Sequence, residues 1–151
     1  MSIGEEIRMD KVTRDAVIKC LELEWEEYID HIGRFSPIEK EEFLQNHGFE
    51  TMVDFLFHIV GWWQECMRII DAVQQDPEYK PANVNVDEYN KKVIEENRDK
   101  GEEESIEVFR NVKLAIKETV EKLPDSAIEN ETINAYMYWC ITNHVEEHKI
   151  I

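Results

Sequence analysis

Between residues 52 and 73 the chain reads MVDFLFHIVGWWQECMRIIDAV, a stretch that is apolar around most of a helical circumference. A helix of this kind is stable only when it is surrounded, in the middle of a bundle or against a partner subunit. Thr51, three residues beyond Gly48, is placed to cap its start, and the segment QQDPEYKPANVNV, with two prolines and two asparagines, ends it. The remaining sequence must therefore supply helices to enclose it.

The sequence does so on both sides. Asp10 or Thr13 is placed to cap a first helix whose apolar stripe runs Val17, Ile18, Leu21, Trp25, Tyr28, Ile29 and Ile32, with Gly33 at its end. Ser36, Pro37 and Glu39 then have the spacing of a capping box for a short helical turn. Asp87 is the expected cap of a shorter piece interrupted at Gly101. A long helix follows, with Ile106, Phe109, Val112, Ile116, Val120 and Leu123 on one side, and a last helix is expected from about Glu131 to His148. With five glycines, four prolines and no alternating strand pattern, the expected fold is all-α. Its economical form is a four-helix bundle spanning 1–151 as one domain. The long connection before Asp87 would cross the bundle between the second and third helices, and the short turn LPDSAIENE would make the third and fourth antiparallel.

Acidic residues number 34 against 17 basic ones, a formal net charge of -17, which disfavours nucleic acid and anionic membrane surfaces as partners. Cys20, Cys66 and Cys140 form no CxxC pair, MSIGEEIRMD lacks the pattern of a signal peptide, and no apolar run is long enough to span a membrane. These features lead to the expectation of a cytoplasmic protein with reduced thiols. The all-round apolar second helix leads to the expectation of a homodimer.

Five histidines remain to be placed. His144 and His148 are four apart, on the face that also carries Ile133, Met137, Cys140 and Ile141. Two imidazoles so spaced can bind one metal ion, although a histidine on an apolar stripe is commonly a satisfied core residue. HVEEH also fits the H-x-x-E-H pattern of inverzincin proteases, but those need a third ligand well downstream, which this chain does not offer. Upstream, His31 lies in the last turn of the first helix and His47 just before Gly48. His58 stands between Phe57 and Ile59 in the most apolar helix, where an unpartnered imidazole is costly, and is the strongest third candidate. Gly61, one turn on, would leave space beside that ring for a substrate. Trp62, Trp63, Trp139 and Tyr136 could wall a pocket or fill the core, and Cys140 could touch the site or be a small core thiol. Glu146 and Glu147 are expected to point away from the histidine face, as possible neighbours of the site or as solvated groups.

At FLFHIVGWW and HVEEHK the chain resembles the DinB/YfiT-like metalloenzymes. The resemblance covers most of the chain from about Thr51 onward. It implies a four-helix bundle with a crossover between the second and third helices, and a divalent metal, zinc or nickel, held by three histidines. His58 matches the ligand on the second helix, and His144 and His148 match the C-terminal pair. Phe49 and Glu50 stand where that family usually has a tryptophan. HIVGWWQE and DEYNKK are also similar to the ClbS/DfsB branch, some of whose members lack the triad; this implies an alternative, a non-catalytic or self-protection bundle that binds a small molecule without metal. Three imidazoles leave an ion with an open position, as in catalytic sites, where it can acidify water or a thiol. The resemblance thus implies a hydrolase, or a thiol transferase using a low-molecular-weight thiol of the bacillithiol or mycothiol type, acting on a small-molecule substrate. Protons should compete with the metal below the ordinary histidine pKa of about 6.5.

Overall fold

The computed structural model describes residues 11–83 and 85–150. Asp10, one of the two candidate caps of the first helix, lies outside them; Thr13 takes that role, its side chain accepting from the Ala16 N–H. Helix α1 covers 14–33 as three continuous pieces, Arg14–Lys19, a π-helical turn Cys20–Glu24, and Trp25–Gly33. Helix α2, Pro37–His47, has the full Ser36/Glu39 capping box and closes on Gly48, whose φ of 78° is the left-handed conformation that glycine adopts without strain. Helix α3, Met52–Gln75, starts at the Thr51 cap.

Helix α4 is Val86–Asn97, and its cap is Asn85 rather than Asp87. The Asn85 side chain accepts from the Glu88 N–H, which leaves Asp87 inside the first turn, where its charge faces the positive end of the helix. Helix α5, Glu102–Lys122, is followed by a short α6, Asp125–Glu129, within the segment read as a plain turn. Helix α7 covers 131–147 as Glu131–Met137, a second π-helical turn Tyr138–Thr142, and Asn143–Glu147. The described residues thus contain seven helices and no strand. No helix among them is long and apolar enough to cross a membrane.

The apolar circumference of α3 dictates the packing. It lies against α4, α5 and α7, while α1 packs on α5 and α7. Trp25 of α1 and Trp63 of α3 are fully buried and meet edge to face with centroids 5.1 Å apart, and both rings contact Phe109 of α5. Among the described residues the large apolar side chains left exposed are Leu23, Ile38 and Leu114, none of them on α3. The chain's own helices therefore cover most of the apolar circumference of α3.

Buried Asn134 ties the start of α1 to α6 and the first turns of α7. Its Oδ1 accepts from the Val12 N–H at 3.0 Å, and its Nδ2 donates to the carbonyls of Val12 and Ile128 at 2.8 and 2.9 Å. Replacing it with leucine leaves these backbone groups unpartnered at a 3 % exposed position. Asn134→Leu should therefore lower unfolding free energy by about 2–3 kcal/mol in urea titrations, with an unchanged m-value.

Candidate metal centre

His58, His144 and His148 come together although 86 residues separate the first two. His58 lies in the second turn of α3. His144 follows the π-helical turn of α7, and His148 is the residue that terminates that helix. The Nε2 atom of His58 is 3.1 Å from Nε2 of His144 and 3.1 Å from Nε2 of His148. All three candidate ligand atoms lie within 4.8 Å of one another.

Hydrogen bonding alone does not satisfy this arrangement. The Nδ1 of His144 is 3.3 Å from the Cys140 carbonyl, which can only accept, so Nδ1 carries the proton and Nε2 a lone pair. The Nε2 of His58 has one in-plane proton or one lone pair, yet it faces two nitrogens at hydrogen-bond distance. A cation shared by the three lone pairs removes the conflict. Nitrogens 3.1 Å apart, each at a typical Zn–N distance of about 2.0–2.1 Å, subtend an angle of about 95–100°, between octahedral and tetrahedral values. The three-histidine donor set could therefore hold a metal ion.

The electrostatics agree. Burial pushes the His58 pKa down to about 4 and that of His148 to about 3, the latter also through His58 and His47. His144 is driven well below the ordinary value by burial and then by the neighbouring His58 and His148. The imidazoles are thus neutral at pH 7, the form that ligates metal. The Nδ1 of His58 makes no hydrogen bond of normal geometry; the Asn90 amide nearby only partly offsets the cost of protonating that ring.

Two contacts hold His148 beyond the end of the helix. Tyr28 Oη donates to its carbonyl, and its Nδ1 lies 3.2 Å from Nδ1 of His47. The sequence reading passed over His47; its only signal was its position in the last turn before Gly48, which reads equally as a helix-end residue.

A cavity of about 420 Å³ opens beside the triad, lined also by His47, Phe49, Trp62, Val86, Asn90, Trp139, Cys140 and Glu147. Trp62 and Cys140 are thus where a pocket was expected. Trp63 instead lies in the core, donating to the Cys140 carbonyl at 2.9 Å, and Tyr136 is buried away from the lining. Gly61 leaves no open space, contrary to expectation. A Cβ there would come 2.9 Å from Val93 Cγ2, and the Gly61 carbonyl accepts from Tyr89 Oη at 2.7 Å. Glycine at 61 lets α4 approach α3, and the cavity lies elsewhere.

The expectation for Glu147 is also corrected. It sits at the cavity rim, 60° around the helix from His144 by ordinary helical geometry, and is held by the Asn143 amide at 2.7 Å. Burial raises its carboxyl pKa. Cys140 is 1 % exposed, and its thiol is held well above the ordinary value by the adjacent Cys66 and by burial, so it remains protonated beside the triad.

No protein-family model matches the chain, and no curated protein or solved structure matches it either.

The depressed histidine pKa values have a definite pH signature. A group protonated more readily in the unfolded chain stabilises the fold above the unfolded pKa of about 6.5, and that stability is lost as pH falls toward the folded value. For His58 the window is about 6.5 down to 4. Between pH 6.5 and 5, above the ordinary range for carboxylates, His58 alone should account for a loss of about 2 kcal/mol. Urea midpoints of the metal-free protein should fall across this interval and fall less in His58→Gln. Proton competition for metal should correspondingly begin well below 6.5, lower than the sequence alone implies.

Proposed function

We propose that this chain is a divalent-metal-dependent enzyme of the DinB-like kind, a hydrolase or a thiol transferase acting on a small molecule. The observation that carries the reading is the approach of three neutral imidazole nitrogens, two of them on buried rings, with His58 Nε2 3.1 Å from each of the other two and a cavity at their side. Motif resemblance at FLFHIVGWW and HVEEHK supports it, as does a helical order compatible with a four-helix bundle made of α1, α3, α5 and α7, with the α4 segment in the crossover.

A divalent ion held by His58, His144 and His148 would supply Lewis acidity toward water or a thiol. The chain's own groups do the remainder. His58, His144 and His148 present neutral donors, and the Cys140 carbonyl fixes the His144 tautomer. Phe49, Trp62 and Trp139 give the cavity aromatic walls, and Glu147 at the rim is a carboxyl placed to hold a proton. The described lining contains no lysine or arginine, so its chemistry favours a neutral or cationic substrate over an anionic one. The metal expected is zinc or nickel, with a low-molecular-weight thiol as the co-substrate in the transferase case.

A second reading has its own support. Trp62 Nε1 donates to Asn90 Oδ1 at 2.7 Å, and the Trp62 and Tyr89 rings lie 4.6 Å apart. These contacts join HIVGWWQE to DEYNKK, the two segments similar to the ClbS/DfsB branch, and they would serve a metal-free, small-molecule-binding bundle.

Metal analysis of untagged protein separates the two. The enzyme reading expects about one equivalent of divalent metal per chain, and loss of stoichiometric binding in His58→Ala with helical circular dichroism retained. Wild-type protein that binds no zinc or nickel at micromolar concentration would exclude it and leave the binding bundle.

A further inference from the structure

We propose that His47 is a positioning residue for the metal site: its Nδ1 accepts a hydrogen bond from Nδ1 of His148 and thereby turns the Nε2 lone pair of His148 toward His58 and His144. The inference rests on the metal-site reading for its purpose, but its geometry stands independently.

The three imidazoles differ in what orients them. His144 uses the carbonyl one turn back on its own helix, that of Cys140 at 3.3 Å. His148 makes no such contact with the carbonyl one turn back, that of His144, which takes the His148 backbone N–H at 3.2 Å while the ring nitrogens of His148 face His47 and His58. An acceptor must come from another element, and α2 supplies it: the Nδ1 atoms of His47 and His148 are 3.2 Å apart. One of these nitrogens must carry the proton. A proton on His47 Nδ1 would put the only proton of neutral His148 on Nε2, pointed at Nε2 of His58 and blocking ligation. A proton on His148 Nδ1 leaves all three Nε2 lone pairs convergent. His47 is half-buried, so its own Nε2–H can be satisfied at the cavity edge and Nδ1 is left to accept.

His47 is itself held firmly enough to do this. Its ring packs on Phe43, with centroids 4.4 Å apart, and α2 ends immediately afterward at left-handed Gly48, where the Phe49 N–H returns to the Leu44 carbonyl. The Tyr28 contact fixes the His148 backbone while His47 fixes its ring. His47 is not a fourth ligand, since the nitrogen it offers is turned to His148 Nδ1 and away from the converging Nε2 atoms.

Two substitutions separate an acceptor role from packing. In His47→Asn, Oδ1 is as many bonds from the backbone as Nδ1 and keeps the acceptor; His47→Leu keeps bulk without it. Long-range proton–nitrogen NMR on the metal-free protein at constant neutral pH should show His148 as the Nδ1–H tautomer in wild type and His47→Asn, and a loss of that preference in His47→Leu. Zinc affinity, measured against a chromophoric chelator, should fall 10–100-fold in His47→Leu and stay within about threefold of wild type in His47→Asn. Equal losses in both variants, or none in His47→Leu, would overturn the proposal. So would an Nε2–H tautomer of His148 in wild type, a result that requires no variant to fold. A wild-type protein that binds no zinc would sink the metal reading, and the tautomer measurement alone would then decide whether His47 orients His148.

Discussion

Two indole N–H groups grip the last helix by its backbone. Trp25 of α1 donates to the Ile141 carbonyl at 3.1 Å, and Trp63 of α3 donates to the Cys140 carbonyl at 2.9 Å. Both carbonyls lie in the π-helical turn of α7, where the wider ring of hydrogen bonds loosens the ordinary pairing and leaves acceptors to be satisfied from outside. Both tryptophans are fully buried, so these bonds are formed away from water and are costly to break. They lock the register of α7 against α1 and α3, three residues before the first histidine of the pair. Without that register, His144 would not face His58.

The same turn explains why the triad is preorganised. The Cys140 carbonyl serves two donors, Trp63 and His144, so one backbone oxygen sets both the helix position and the imidazole tautomer. On the opposite wall His58 is fixed by the burial of α3, whose approach to α4 depends on the missing side chain at Gly61. Buried imidazoles in such surroundings resist protonation, which keeps the site neutral within a chain of formal charge -17.

Much of this was legible from residue order. The apolar sweep from Met52 to Val73 dictated a central helix, and a lone imidazole within it was a marked anomaly. The i, i+4 spacing of His144 and His148 put them on one face. Other features had no local signal. A π-helical turn adds one residue per turn without changing composition, so both such turns were invisible in the apolar spacing. Whether a glycine opens a cavity or admits a neighbour depends on what packs there; Gly61 meets Val93, 32 positions away, and no window around position 61 contains that fact. His47 and Glu147 acquire meaning only through partners or a cavity assembled from several helices.

His148 sits where α7 has already ended, with its backbone held by Tyr28 and its ring by His47. Local opening of a helix end requires far less free energy than unfolding a core. Of the three rings, that of His148 is therefore the one whose place depends on contacts beyond its own helix, while His58 and His144 are embedded in the bundle. Opening that terminal turn would cost less than unfolding the bundle, so a ligand held by all three rings would be released there first.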